Sequence, residues 1–335
     1  MKRIIAVLSV LVLAAATAGA QELIPEIKLG DAKLTIKGFA QCTYVQNVDP
    51  AADGNFAWTT LRTKLTLTWE KFDLRTEVNF AELQYPKENW LRELNLGYSF
   101  SDDWRLSVGR VFLPVGYATP PAFKLQTVNY PTADPFKDYA TGLMLEGKLK
   151  GDWSLMAAVT GASGLSFDDA GCWQKPEFSA RVEKKVGTGS VAGDLQLSSS
   201  VCRVATDFTW QATKDFTVRG ELSYVDSYSY KCSNRVGGYL FAAYKPLGWL
   251  ELHSQVDSTD EIQKSYYYWQ RNKAKDGTVS VKRVEAFTSD VTNVIWLTGV
   301  RLIAPKDQFS FTVDYEVTVD GKLPDRLLAR AQFRL

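Results

Sequence analysis

The sequence lacks a hydrophobic run long enough to form a transmembrane helix. Its longest apolar stretch, residues 4–16, has about thirteen residues, whereas a helix needs roughly twenty to cross a bilayer. Proteins that span membranes with helices are therefore excluded. A sheet can cross a bilayer only as a closed barrel, because an open edge would leave backbone polar groups unpaired in hydrocarbon.

Side chains that usually carry catalysis or bind metals are scarce. His253 is the single histidine. A hydrolase would need a nucleophile beside it, and Ser254, the next residue of the same strand, would lie on the opposite face. The four cysteines form no C-x-x-C pair, and no glycine-rich phosphate loop is present, so the usual zinc, redox and nucleotide motifs are excluded. We expect no catalytic residue, no metal and no cofactor.

The cysteines fall near the outward ends of predicted strands or in outward loops. Cys172, Cys202 and Cys232 occur in three successive loops, and Cys42 is in the first strand. A disulfide is compatible with an oxidising compartment, so one bridge among the three loop cysteines is a hypothesis. The alternative is that the thiols are free and partly buried, since connectivity cannot be deduced from a sequence.

The net charge is close to zero. The chain has 39 basic and 38 acidic residues, a formal charge of +1. Lys2 and Arg3 lie in the N-terminal leader described next, so the remaining chain has a charge of about −1. This balance gives no indication of a nucleic-acid partner.

The N-terminus has the pattern of a secretory signal peptide. Lys2 and Arg3 precede the apolar residues 4–16, and Ala18-Gly19-Ala20 forms a small-residue cleavage site. We predict that residues 1–20 are removed, that residues 21–33 form a short periplasmic segment, and that residues 34–335 form one barrel domain.

Aromatic residues are abundant, with ten Trp, fifteen Tyr and seventeen Phe against three Met. Beyond the leader, short segments alternate apolar and polar side chains, which is typical of transmembrane barrel strands. In the clearest segment, Leu61, Leu65 and Trp69 lie on one side, with Arg62 and Lys64 on the other. One apolar and one charged face need different solvents, and lipid outside with water inside provides them.

The pattern predicts an all-β, antiparallel transmembrane barrel of about sixteen strands, with short turns and longer loops alternating. Residues 259–292 are ambiguous. Segments 265–271 and 279–287 can form a hairpin above the membrane or two more wall strands, which would make eighteen. We favour sixteen, because residues 273–277 are polar enough for a loop tip and the second segment alternates poorly. A secreted soluble β-protein is a further interpretation.

One long segment interrupts the strand pattern. The strand at 104–112 leads into residues 113–140, which contain five prolines, and proline removes hydrogen-bond donors from a sheet. We expect this third outward loop to fold into the barrel and narrow a water-filled channel, because a sixteen-stranded lumen is wide. Its aromatic residues are expected to pack the loop against the wall. Stacking on sugar rings is the alternative.

Three stretches resemble successive signatures of the phosphate-selective porin O and P family. They read Leu-Arg-Thr-Lys-Leu-Thr-Leu at 61–67, Leu-Arg-Thr-Glu-Val-Asn-Phe at 74–80 and Val-Gly-Arg-Val-Phe-Leu-Pro-Val-Gly at 108–116. The resemblance implies a trimeric, sixteen-stranded barrel that conducts small anions through a ladder of arginines and a ring of lysines. Arg62 and Lys64 match the family's basic pair, whereas Arg110 stands where the family usually has glutamine. The sequence has no dense arginine ladder, so phosphate specificity is not implied.

We assign eight residues to the pore lining or constriction. Four of them come from wall strands near the start of the long loop and form a possible basic half-ring, because fixed charges in a narrow aqueous pore bias which ions enter. The alternative is that these cations pair with Glu70, Asp73 and Glu77 on neighbouring strands. The eight residues are Arg62, Lys64, Arg75 and Arg105 of the half-ring, Asp134 and Asp138 opposing it, and Arg110 and Lys124.

The sequence therefore predicts an outer-membrane porin for passive diffusion of small hydrophilic solutes or ions, with a mild anion preference at most. Its expected partners are outer-membrane lipids, the solutes and, from the family resemblance alone, two further copies in a homotrimer. The alternative is a structural or surface-interaction barrel with a plugged lumen, in which residues 266–269 (Tyr-Tyr-Tyr-Trp) bind a partner.

Overall fold

The computed structural model describes residues 27–47, 55–80, 90–113, 139–161, 176–198, 201–227, 234–262, 265–273, 279–287, 291–304, 309–319 and 325–334. Nearly all of these residues are in strands. Within these ranges, no helix is long and apolar enough to cross a membrane. The strands are β1 (Ile27–Leu29), β2 (Ala32–Asn47), β3 (Asn55–Trp69), β4 (Phe72–Asn79), β5 (Leu91–Ser99), β6 (Trp104–Phe112), β7 (Tyr139–Leu149), β8 (Trp153–Gly161), β9 (Pro176–Val186), β10 (Gly189–Leu197), β11 (Val201–Thr213), β12 (Phe216–Ser227), β13 (Asn234–Leu247), β14 (Leu250–Ile262), β15 (Ser265–Lys273), β16 (Val279–Phe287), β17 (Val291–Ile303), β18 (Phe309–Thr318) and β19 (Arg326–Arg334).

Sixteen of these strands close into one antiparallel barrel. Each strand from β2 to β13 pairs with the next, β14 pairs with β17, β17 to β19 pair in sequence order, and β19 returns to β2. The closing pair is in register from Arg326 opposite Asn47 to Arg334 opposite Phe39. Every barrel strand therefore has a partner on both sides, as a sheet in lipid requires. The predicted sixteen-stranded barrel is confirmed.

The strands β15 and β16 form a separate two-stranded sheet inserted between β14 and β17. The ambiguous region is therefore a hairpin outside the barrel sheet, and the eighteen-stranded alternative is wrong. The short strand β1 pairs with the start of β2. β1 belongs to the segment 21–33, whose expected periplasmic position stays a prediction.

Short connections lie at one end of the barrel, which we call the inner end because porin-type barrels have their short turns on the periplasmic side. Gly151 and Asp152, between β7 and β8, have φ values of 75° and 63°. Positive φ at both central residues is typical of a type I′ turn, whose twist matches that of the flanking strands. The long connections, including the β15–β16 hairpin, lie at the opposite end.

The two faces of the wall differ as the alternation predicts. Leu65, Leu74 and Trp210 are among the many large apolar side chains that are exposed on the outer face, whereas Asp73 and Glu77 are buried on the inner face. Large contiguous apolar surfaces are rare on soluble monomers, which argues against the soluble β-protein interpretation. Several aromatic side chains near the ends of the strands are also exposed, namely Trp69, Tyr98, Trp153, Trp249 and Trp296.

Several strands extend beyond their alternating segments. β2 runs to Asn47 and β3 begins at Asn55, which leaves a short connection between them. β14 continues to Ile262, paired with Asn234. Backbone pairing continues beyond the lipid, where polar side chains on both faces cost nothing, so the apolar alternation ends before the strand does.

Candidate functional site: the inner wall of the barrel

Arg105 on β6 is the centre of an ion-pair network on the inner wall. Its Nε and Nη2 atoms donate hydrogen bonds to the two carboxylate oxygens of Asp73, each 2.7 Å long. Its Nη1 atom donates to Ser107 and Glu146, and Nη2 also donates to Asn95 at 3.2 Å. One guanidinium group therefore ties together β4, β5, β6 and β7.

Gly97 on β5 leaves the space that this guanidinium group occupies. A Cβ atom at Gly97 would overlap the Nε, Cζ and Nη2 atoms of Arg105. The strand alternation places Gly97 on the inner face, opposite Ser107 in register. The glycine is therefore needed for the network and not for a turn.

The other cations of the predicted half-ring also have carboxylate partners. Arg62 contacts Glu77 at 3.3 Å, and Lys64 binds Glu93. Arg75 has its Nε atom 2.8 Å from Asp73 and its Nη1 atom 4.0 Å from Glu146. The four cations thus face four carboxylates, Asp73, Glu77, Glu93 and Glu146.

The half-ring cations therefore pair with carboxylates on neighbouring strands, as the alternative interpretation predicts. Asp73 and Glu77 are among these partners, but Glu70 is not. Glu70 lies in the exposed turn between β3 and β4, with φ of 51°, so it is not an inner-wall residue. The sequence did not identify Glu93 and Glu146 as the remaining partners, although alternation places both on the inner face. Partner choice depends on strand register, which alternation alone does not specify.

The four cations differ in their access to water. The side chains of Arg62 and Arg105 are 9% and 11% exposed, whereas those of Arg75 and Lys64 are 29% and 37% exposed. A charge that is both buried and paired is held in one geometry by its partner. Arg75 and Lys64 are therefore the members of the half-ring that water and solutes can reach.

Arg110 lies where the strand alternation breaks. Gly109 has φ of 126°, a conformation that side chains rarely adopt, and the two residues after it, Arg110 and Val111, are both buried. Arg92 lies over the Tyr139 ring, 5.6 Å from its centre, and Tyr139 pairs with Phe112, two residues after Arg110.

The loop residues of the predicted constriction lie outside the residues that the structure describes. These are Lys124, Asp134 and Asp138, together with the inward fold of the segment between β6 and β7. The opposition between a basic wall and an acidic loop therefore stays a prediction. The residues that flank the segment, Leu113 and Tyr139, are buried.

A second network surrounds Arg181 on β9, where one cation holds three carboxylates. Its Nη1 atom is 2.9 Å from Asp194 and 2.6 Å from Asp207, and Nη2 is 3.3 Å from Glu183. Both aspartate side chains are fully buried. This sector of the wall has more acidic than basic charge. Strand alternation places both aspartates on the inner face with Arg181, but it does not predict that they meet, because that depends on strand register.

His253 on β14 lies in a third buried cluster. Its Nε2 atom is 2.8 Å from Asp314, and Nδ1 is 3.9 Å from Glu251. Its ring stacks on Phe241 at 6.0 Å. Ser254 lies on the opposite face, where its hydroxyl accepts a hydrogen bond from the Trp296 indole at 2.9 Å. The predicted separation of His253 from Ser254 is therefore present in the structure.

Two of the four cysteines lie in the described part of the chain, and both are free thiols. Cys42 is buried and Cys202 is partly buried. A bridge that includes Cys202 is therefore wrong. Cys172 and Cys232 lie outside the described residues.

Solved structures resemble this barrel, although no protein-family model and no curated protein matches its sequence. An outer-membrane protein of Vibrio cholerae, OmpT, matches with a TM-score of 0.62 and 10% identity, over 93% of this chain and 100% of its own. An anion-selective porin from Comamonas acidovorans gives 0.62 and 12%, over 90% and 99%. OmpF of Salmonella typhi, in complex with daunomycin, gives 0.62 and 11%, over 93% and 100%.

These matches show that the fold is shared with outer-membrane porins. Identities of 10–12% show nothing about solutes or selectivity. The resemblance to the phosphate-selective porins rests only on the three stretches at 61–67, 74–80 and 108–116, since no family model matches.

Proposed function

We propose that this chain is an outer-membrane channel for passive diffusion of small hydrophilic solutes and ions. The observation that carries the proposal is a closed ring of sixteen paired strands with apolar side chains outside and ion pairs inside. Lipid accommodates the outer face, and only an aqueous or polar interior accommodates the inner face. The similarity to solved porins supports this class of function. Export by a cleaved signal at residues 1–20 and insertion in the outer membrane belong to the same proposal.

Ion selectivity in this proposal is weak. The half-ring cations Arg62, Lys64, Arg75 and Arg105 are balanced by neighbouring carboxylates, and Arg181 is outnumbered by its partners. The electrostatic fields of paired opposite charges largely cancel, and salt screens what remains beyond the Debye length, about 8 Å at physiological ionic strength. A mild anion preference is the most that the described wall supports, and phosphate specificity has no support in it.

The same proposal includes a homotrimer and no catalytic role. A homotrimer is supported by the family resemblance and by a trimer form of Vibrio cholerae OmpT with the same fold. We propose no enzymatic role, because His253 is buried between carboxylates with its neighbouring serine on the other face. No cofactor is part of the proposal.

A plugged barrel is the second candidate, and one observation favours it. Many inner-face polar side chains are completely buried, among them Asn79, Gln196, Glu251 and Asp314. Water beside a side chain leaves it accessible, so there is little open space at these positions. A narrow passage and a closed one both agree with this burial.

Conductance in planar lipid bilayers distinguishes the two candidates. A channel gives step-like increases in current when purified protein inserts, and a salt gradient then gives its reversal potential. We expect discrete steps and a reversal potential close to zero. Correctly folded protein that inserts and stays silent would support the plugged barrel.

A further inference from the structure

A cavity of about 420 Å³ opens at the inner end of the barrel, beside the Arg105 network. Its volume is in the range of small-molecule sites, roughly 300–1,000 Å³. Residues from the β5–β6 turn and from β4 to β8 line it, including Arg75, Asp103, Glu146, Lys148, Ser99 and Ser154. The cavity therefore combines charges of both signs with hydroxyl groups.

Arg75 is the arginine in this cavity that can bind a ligand. Arg105 already donates to Asp73, Asn95, Ser107 and Glu146. Among the described residues, Arg75 contacts Asp73 through Nε at 2.8 Å, whereas its Nη1 atom stands 4.0 Å from Glu146. With Glu146 beyond hydrogen-bond distance and its own side chain 29% exposed, this guanidinium group can donate to a ligand carboxylate.

The charges around the cavity are balanced, which restricts the kind of ligand. The cations Arg75, Arg105 and Lys148 are matched by Glu146 and by the turn carboxylates at positions 102 and 103. A purely anionic ligand is attracted by the arginine but repelled by the carboxylates. A purely cationic ligand is attracted by the carboxylates but repelled by the arginine. A ligand with one positive and one negative group is attracted on both sides of the cavity.

We propose that this cavity is a binding site for small zwitterionic solutes such as α-amino acids. The ligand carboxylate binds the exposed guanidinium group of Arg75, and its ammonium group faces Glu146 and the turn carboxylates. As a site on a solute's path the proposal rests on the proposed channel function, whereas binding itself does not require conduction.

Hydrogen bonds fix the position of the acidic turn between β5 and β6. The backbone N–H of Lys148 donates a hydrogen bond to the carbonyl of Asp103 at 2.9 Å, and the Asp103 N–H donates to the Ser101 hydroxyl at 3.4 Å. These bonds hold the acidic turn against β7, next to Glu146. The negative side of the cavity is thus fixed in position before a ligand binds.

Binding of L-glutamine and two truncated analogues tests the proposal. Glutaramate lacks the ammonium group, and 4-aminobutanamide lacks the carboxylate. Dissociation constants come from NMR titration of the full-length protein in micelles. We expect glutamine to bind more tightly than either analogue and Arg75→Gln to weaken glutamine binding about tenfold, the loss of one charge-assisted pair.

Lys245→Gln is the matched control. Lys245 lies on β13, on the far side of the barrel and also near the inner end, where it contacts Glu251 at 3.5 Å with its side chain 41% exposed. The substitution removes the same charge outside the cavity, so glutamine affinity should stay unchanged. Equal affinity of all three ligands, tighter binding of glutaramate, or unchanged binding in Arg75→Gln would each overturn the proposal.

Circular dichroism and heat-dependent gel mobility of each variant establish that the barrel is folded, so that lost binding reports on the site. Conductance steps without glutamine binding would contradict the binding site but not the channel. Glutamine binding by a barrel that shows no conductance would contradict the channel but not the binding site.

Discussion

Replacing Arg105 by methionine should destabilise the barrel more than any other single change in the half-ring. The substitution keeps most of the side-chain volume but removes every donor to Asp73, Asn95, Ser107 and Glu146. Removing one partner of a buried ion pair costs roughly 3–5 kcal/mol. Because the Glu146 side chain is 26% exposed, water recovers part of that cost, so we expect a loss of about 3 kcal/mol.

Arg75→Met is the control for this prediction. Arg75 is more exposed, and both of its carboxylate partners keep Arg105. Its loss should therefore cost under about 1 kcal/mol, the usual value for exposed pairs. Equilibrium urea unfolding in lipid vesicles, followed by tryptophan fluorescence, gives the free energy of unfolding for both variants.

A rescue experiment completes the test. If the cost arises from unpaired carboxylates, adding Asp73→Asn and Glu146→Gln to Arg105→Met should restore most of the lost stability. Equal losses in the Arg105 and Arg75 variants, or a triple variant no more stable than Arg105→Met alone, would refute the reasoning.

Two further predictions concern other parts of the wall. Gly97→Ala should displace the Arg105 guanidinium group and lower the unfolding free energy by about 1–3 kcal/mol, whereas Gly193→Ala, where a Cβ meets nothing within 4 Å, should change little in the same urea assay. Arg181→Met should cost about 3–5 kcal/mol because it leaves three carboxylates together. Asp207→Asn should cost much less, because the remaining carboxylates keep their cation, and a larger loss for Asp207→Asn than for Arg181→Met would contradict this account.

The sequence predicted the wall of the barrel well, because the physical cause of the wall is local. Each strand must alternate between lipid and a polar interior, and this period of two is visible at Leu61, Arg62 and Lys64 without any tertiary information. The hairpin of β15 and β16 was also predicted, from a polar tip and poor alternation.

What the sequence could not predict depends on register and on local exceptions. The pairing of Lys64 with Glu93 joins residues on β3 and β5, which only the packed wall brings together. The alternation breaks at Gly109, where φ is 126°. A glycine permits this angle, but its presence alone does not predict it. Asp194 and Asp207 also alternate correctly, but their contacts with Arg181 depend on the register of β9, β10 and β11, which alternation does not specify.

The most direct test of the account is the environment of two adjacent side chains on β3. In a cysteine-free background, spin labels at positions 65 and 66 report contact with dissolved oxygen, which concentrates in lipid, and with a polar nickel complex, which stays in water. Leu65 is on the exposed apolar face and Thr66 on the inner face. The account predicts higher oxygen contact at position 65 and relatively higher nickel contact at position 66. Nickel contact at 65 together with oxygen contact at 66 would contradict it.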